Sequence, residues 1–132
     1  MRRQPDQESK AQERTQDKRT NRRRSGDEGE LQALRHLEQA GLSLIQKNFS
    51  CKGGELDLIM RDGNDVVFVE VRTRASMQFG GAIASITPAK QRKMLHAAQV
   101  FLLQLKQQPA CRFDVIAIEA GTIHWLQNVI VA

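Results

Sequence analysis

A chain of 132 residues and 14.9 kDa supports one hydrophobic core and not two, and 40% hydrophobic residues mark it as globular. The formal charge of +5 and the pI near 9.7 suggest an anionic partner, but the excess lies in residues 1–25, where nine Lys/Arg face four acids. No apolar segment near the start resembles a signal peptide and no run reaches the ~18 apolar residues of a membrane span, so the expectation is a cytoplasmic protein with no membrane role.

Taken in chain order, residues 1–25 are almost devoid of apolar side chains and cannot offset the entropy of ordering. They read as a disordered basic tail, either a solvated extension or a loose hold on a nucleic-acid backbone. The folded domain is expected over 26–132. Ser25 or Asp27 can cap a helix through about Gln39, with Leu34 and Leu37 inward and Gly41 as the stop. "LSLIQKNF" (42–49) reads as a strand. "ELDLIM" (55–60) and "VVFVEVR" (66–72) read as a hairpin joined by "RDGND". After a loop over 75–86, Thr87 and Pro88 open a second helix, whose apolar stripe from Met94 to Leu105 predicts an end near Gln107. "RFDVIAIE" (112–119) is a further strand, and 122–129 a last one. The order α-β-β-β-α-β, with a final β, predicts an α/β fold: a mixed sheet flanked by helices.

The hairpin carries acids in apolar company. Asp57 lies between Leu56 and Leu58, Glu70 between Val69 and Val71, and an unpartnered buried carboxylate costs several kcal/mol. Strict alternation puts Glu55, Asp57 and Ile59 on one face, and Phe68, Glu70, Arg72 and Arg74 on one face of the next strand. With residues 62–65 as the loop, Asp57 falls opposite Glu70, a destabilising like-charge pair that a hard divalent cation would relieve. Glu30 continues the inward stripe of the first helix, so Glu30, Asp57 and Glu70 can converge at one end of the sheet around a hard divalent cation such as Mg²⁺, with Glu55 flanking. Acids at strand ends are also commonly exposed or paired with arginine, and periodicity alone leaves both readings open.

Several short segments, in order and at compatible spacing, resemble the YraN-like family of bacterial proteins within the restriction-endonuclease-like superfamily, which includes the archaeal Holliday junction resolvases. They are Gly29-Glu30 with Ala33, Leu44 with Asn48-Phe49, "GGELDLI", "VFVEVRTR", Gly80 to Lys90, and "RFDVIAI", together covering about residues 26–130. The resemblance implies an αβββαβ restriction-endonuclease-like core. It also implies a Mg²⁺ or Mn²⁺ site in which Asp57 and Glu70 with Arg72 act in catalysis, and Glu30, Asp57 and Glu70 hold the metal. Arg72 occupies the last position of a motif that is Glu-x-Lys across the superfamily. Arginine stays protonated where lysine can give up its proton, which sets efficient cleavage against binding alone.

Arg74, Lys90, Arg92 and Lys93 are candidate contacts to a nucleic-acid backbone, with a plain solvated helix face as the alternative for the last three. Gln91 is a candidate support for the site. His96 and His124 read as surface or packing residues, Trp125 as a packing aromatic, and Asp114 as a structural salt-bridge residue. Cys51 and Cys111 stand far apart without CxxC spacing, which leaves free thiols and no zinc site. Three functions compete: a metal-dependent endonuclease acting on DNA, including branched DNA; an inactive nucleic-acid-binding module of the same fold; and a protein-interaction adaptor. A homodimer is expected because pairing subunits would enlarge a positive surface that the near-neutral body lacks.

Overall fold

The structure, a computed structural model, describes residues 17–74 and 85–130, and side chains of the first helix from residue 26 onward. Helix α1 spans Asp17–Gln39, followed by strands β1 (Ser43–Cys51), β2 (Gly54–Asp62) and β3 (Asp65–Arg74). Helix α2 (Pro88–Leu102) leads to β4 (Cys111–Glu119) and β5 (Thr122–Leu126). The five strands lie in the order β1-β2-β3-β4-β5, antiparallel except for the parallel β3–β4 pair. This is the α/β mixed sheet with flanking helices that the sequence order implies, arranged as an αβββαβ core with a fifth strand.

Each helix covers one face. Ala33, Leu34 and Leu37 of α1 pack on Leu58, Met60, Val67, Val69, Ile116 and Ile118. Met94, Ala97, Ala98 and Phe101 of α2 pack on the opposite face, against Ile59, Val66, Phe68 and Phe113. There Phe101 meets Phe49 and Phe68 edge-on, with centroids 5.5 Å and 6.0 Å apart, contacts worth about 0.5–1.5 kcal/mol each beyond their buried area. Gly29 seats α1 on the end of the sheet: it is buried, and any Cβ there would collide with the Thr73 hydroxyl.

Three boundaries depart from the expectation. Helix α1 starts at Asp17, upstream of Ser25 and Asp27, because the intervening Lys18, Arg19, Arg22, Arg23 and Arg24 are good helix formers even without an apolar stripe. The rest of the expected tail, residues 1–16, and most of the 75–86 loop with Gly80 and Gly81 lie outside the described residues. Helix α2 ends at Leu102, short of Gln107. Gln104 and Leu105 donate to the carbonyls of Phe101 and Leu102, tightening the last turn, and the Gln108 amide caps the Leu102 carbonyl at 3.0 Å. Strand β5 ends at Leu126, beyond which Asn128 and Val129 donate back to β4.

Candidate functional site

The β2–β3 hairpin brings the acids together. Asp62 and Asp65 still pair, so the turn is only Gly63-Asn64, two residues rather than four, but the register is the expected one: Arg61 faces Val66 and Leu58 faces Val69. The regular ladder stops there. One step further, Asp57 and Glu70 contact each other through a side-chain hydrogen bond, and the Val71 N–H donates to Asp57 Oδ2 at 2.8 Å.

Strict alternation fails at Asp57. Leu56 and Ile59 both join the α2 layer while Leu58 joins the α1 layer, so the strand kinks between 56 and 58. The opposing Asn48 has φ 54 and drops out of the β1–β2 pairing. Asparagine tolerates that left-handed conformation better than most residues. The kink explains why Asp57 has carboxylate neighbours in both layers.

On β3, Phe68, Glu70 and Arg72 share a side as expected, and α2 covers that side. Glu70 is 3% exposed, and two cations attend it: Arg72 Nη2 at 3.0 Å and Lys90 Nζ, from the first turn of α2, at 3.6 Å from Oε2. Burial, then the charge on Asp57, pushes Glu70 up to about 7 despite Lys90 and Arg72. Burial also raises Asp57, although the Val71 N–H and the Glu70 hydrogen bond favour its charged form. The pair therefore holds a proton near neutrality, the mark of two carboxyls competing for one site.

Glu30 approaches from the other layer. It lines a pocket of about 250 Å³ with Asp27, Leu31, Leu34, Lys47 and Asn48, and burial followed by the charges of Asp57 and Asp27 brings it up to about 7. It senses Asp57 but not Glu70, because α1 and α2 pack on opposite faces. Among the described residues, no three His, Cys, Asp or Glu side chains lie close enough to hold a metal ion together. The geometry thus brings two of the three expected acids together and leaves Glu30 behind Asp57. The two that meet still suit a hard divalent ion. Mg²⁺ needs only one or two carboxylates, fills the rest of its shell with water, and would supply the positive charge that a shared proton otherwise brings to the pair.

The remaining candidates fall into place individually. Arg74 is exposed and donates to the Thr73 carbonyl at 2.9 Å, and Arg92 and Lys93 are exposed on α2. Gln91 donates to the Ile86 carbonyl at 3.3 Å, bracing the approach to α2 rather than the acids. His96 Nε2 lies 3.1 Å from the Lys52 carbonyl. Trp125 is partly buried, edge-on to His36, and donates to Asp114 at 3.0 Å. Asp114 is a structural anchor: wholly buried, it also accepts from Arg112 Nε and the Asn128 N–H. Lys90 is the residue whose place the sequence reading missed, having set it among backbone contacts. The Thr87-Pro88 start fixed it in the first turn of α2, but only the packing reveals that this turn faces Glu70.

Comparison with known proteins now decides the lineage. Residues 29–118 match the model of "Uncharacterised protein family UPF0102". The chain belongs to the UPF0102 (YraN-like) family. It is 56% identical over 112 residues to UPF0102 protein HEAR0176 of Herminiimonas arsenicoxydans, covering 85% of this chain and 90% of that one. A UPF0102 protein of Janthinobacterium sp. (strain Marseille) is 52% identical over 114 residues, covering 86% and 93%. One from Cupriavidus necator is 54% identical over 105 residues, covering 78% and 79%. The matched span runs from Gly29 through Ile118 and so includes every candidate acid and Lys90. Membership accords with the expected restriction-endonuclease-like core, while the relatives' names assign no reaction. Among the described residues, no helix is long and apolar enough to cross a membrane.

Proposed function

We propose that this UPF0102 protein is a metal-dependent endonuclease that hydrolyses DNA phosphodiesters, with branched DNA among its substrates. The observation that carries the reading is the Asp57–Glu70 pair: two carboxyls hydrogen-bonded to each other, one of them 3% exposed, at a kink that sacrifices ladder pairing to hold them there. Fold maintenance alone gives no reason to retain so costly an arrangement.

A divalent ion bound by this pair would supply charge neutralisation and water activation for in-line attack. Asp57 is fixed for that task by the Val71 N–H, which holds Oδ2, and by its hydrogen bond with Glu70. Glu70 is oriented by Arg72 and Lys90. Arg72 Nε is buried without a hydrogen-bond partner, an unused donor beside the acids and suited to a phosphate oxygen. Lys90 adds the ammonium that the third-strand motif lacks, delivered from α2 instead of β3, where it can steady developing charge on a phosphate. Glu30 acts through Asp57, holding outer water rather than the ion.

The test is nicking of supercoiled plasmid and of a four-way DNA junction with Mn²⁺ or Mg²⁺. Cleavage lost in Asp57→Asn and Glu70→Gln supports the enzyme; tight binding without cleavage under every metal tried rejects it. The second outcome would favour the inactive binding module, and one contact specifically favours that alternative: Arg72 clamps Glu70 at 3.0 Å from the position where a proton-exchanging lysine would sit. A protein-interaction adaptor instead predicts no nucleic-acid binding and no thermal response to Mn²⁺.

A further inference from the structure

Beside the carboxylate pair is a second recess with different chemistry. It encloses about 340 Å³ between the β1–β2 turn and the start of α2, lined by Ser50, Cys51, Gly53, Gly54, Glu55, Lys90 and Lys93. Its walls are fixed. Gly54 abuts α2 so closely that a Cβ would collide with the Lys93 carbonyl, and His96 is tied to the Lys52 carbonyl on the other side of the turn. Two lysines and the Ser50 hydroxyl face one acid, Glu55, and the first turn of α2 carries no acidic residue. The recess therefore has a net positive lining and hydrogen-bond donors, the complement of an oxyanion.

Lys90 belongs to both places: it lines this recess and lies 3.6 Å from Glu70. The two sites are thus one lysine side chain apart. Successive phosphates on one strand advance only about 3.4 Å along the duplex axis, a step that a lysine side chain readily spans.

We infer that the Gly53-Gly54/Lys93 recess is a phosphate subsite, taking the phosphodiester next to the one addressed by the carboxylate pair. The inference deepens the nucleic-acid reading and rests on it. Lys93 supplies the main charge, Lys90 bridges the two phosphates, and Ser50 donates from the strand. The glycines keep the wall low enough for a sugar-phosphate backbone to approach, so the strand lies across the α2 side of the sheet. The subsite positions substrate and reads no sequence, since phosphate contacts are common to every nucleotide.

The experiment is fluorescence anisotropy with the full chain in EDTA, using a fluorescein-labelled 12-nucleotide single strand and its duplex, over a salt titration. Lys93→Ala and Ser50→Glu should each weaken binding several-fold. Lys93→Ala should also flatten the log–log salt slope by about 0.7 on the single strand and about 0.9 on the duplex, the value of one lost phosphate contact. Lys106→Ala, at the other end of the sheet, is the control and should change neither. The subsite is overturned if Lys93→Ala and Ser50→Glu bind as wild type, or if Lys106→Ala loses as much, which would leave only general attraction. Mn²⁺-dependent cleavage with unchanged Lys93→Ala binding would defeat the subsite and spare the nuclease. Lys93-dependent binding without cleavage would do the reverse. A wild-type chain that binds neither probe would defeat the subsite, while cleavage of the four-way junction with Mn²⁺ decides the nuclease separately.

Discussion

Two acid centres in one sheet, Asp114 and the Asp57–Glu70 pair, have opposite character. At Asp114 a single wholly buried carboxylate is surrounded by donors: Arg112 Nε to both oxygens, the Trp125 indole and the Asn128 amide, with Arg112 also reaching Asp62 at 3.0 Å. At Asp57 and Glu70 two carboxyls compete for a proton, and two cations do not fully settle the charge. The first centre is complete and ties the segment after β5 to the core. The second is completed only from outside. Burial alone does not separate these two centres; at Asp114 the buried charge is met by donors, whereas at Asp57 and Glu70 it stays unmatched.

The contrast can be broken most forcefully at Asp114. Asp114→Ala should cost about 3–5 kcal/mol in urea denaturation, the usual penalty for removing one partner of a buried ion pair. It should leave cleavage per folded molecule unchanged. Asp57→Asn should do the opposite. It keeps an acceptor for the Val71 N–H, so stability should hold, while metal-dependent cleavage falls by more than the roughly 10–100-fold lost when an outer partner of a metal ligand is removed.

Proton linkage gives a subtler contrast. Glu70 has a folded-state value raised to about 7 from an ordinary 4.5. For an acid raised in this way, the associated stability is fully present below the unfolded value and is lost as pH climbs through the folded one. The metal-free protein should therefore lose on the order of 1–3 kcal/mol between about pH 4.5 and pH 7. Denaturation curves of Glu70→Gln should lose the part of that slope due to Glu70, keep the part due to Glu30, which is also raised to about 7, and lie above wild type at pH 8. A slope that survives in Glu70→Gln but vanishes in Asp114→Asn would reverse the assignment of the two centres. Smallest of all is the thermal response to Mn²⁺. An upward shift of a few degrees is expected at pH 8 and a weaker one at pH 5, where protons compete, with none in Asp57→Asn.

Much of this was legible in the residues. The Asp-Gly-Asn-Asp turn fixed the hairpin register whether the loop is counted as two residues or four, so Asp57 and Glu70 could be set opposite each other before any coordinates. The kink was not legible, since a period of two carries no sign of where it breaks. Only Asn48, a residue type tolerant of positive φ across the ladder from Asp57, offered a hint. The convergence of Glu30 failed for a related reason. An inward stripe says that a helix packs on the sheet, not on which face, and α1 lies across the sheet from the acid that Glu30 was meant to join. Lys90 was hidden by distance along the chain, as a helical residue meets a strand 20 positions away only after the crossover is folded. Asp114 was read correctly because an acid on an apolar strand, with Arg112 two residues before it on the same side, has a local partner.

The amide of Val71 gives up its place in the strand ladder to bind the Asp57 carboxylate. That single proton is consequently a natural probe of the site. Its nuclear resonance should move when the carboxylate gains a proton or a cation, and its exchange with solvent should quicken when that oxygen is drawn away, so occupancy becomes observable at one backbone atom without substrate or turnover.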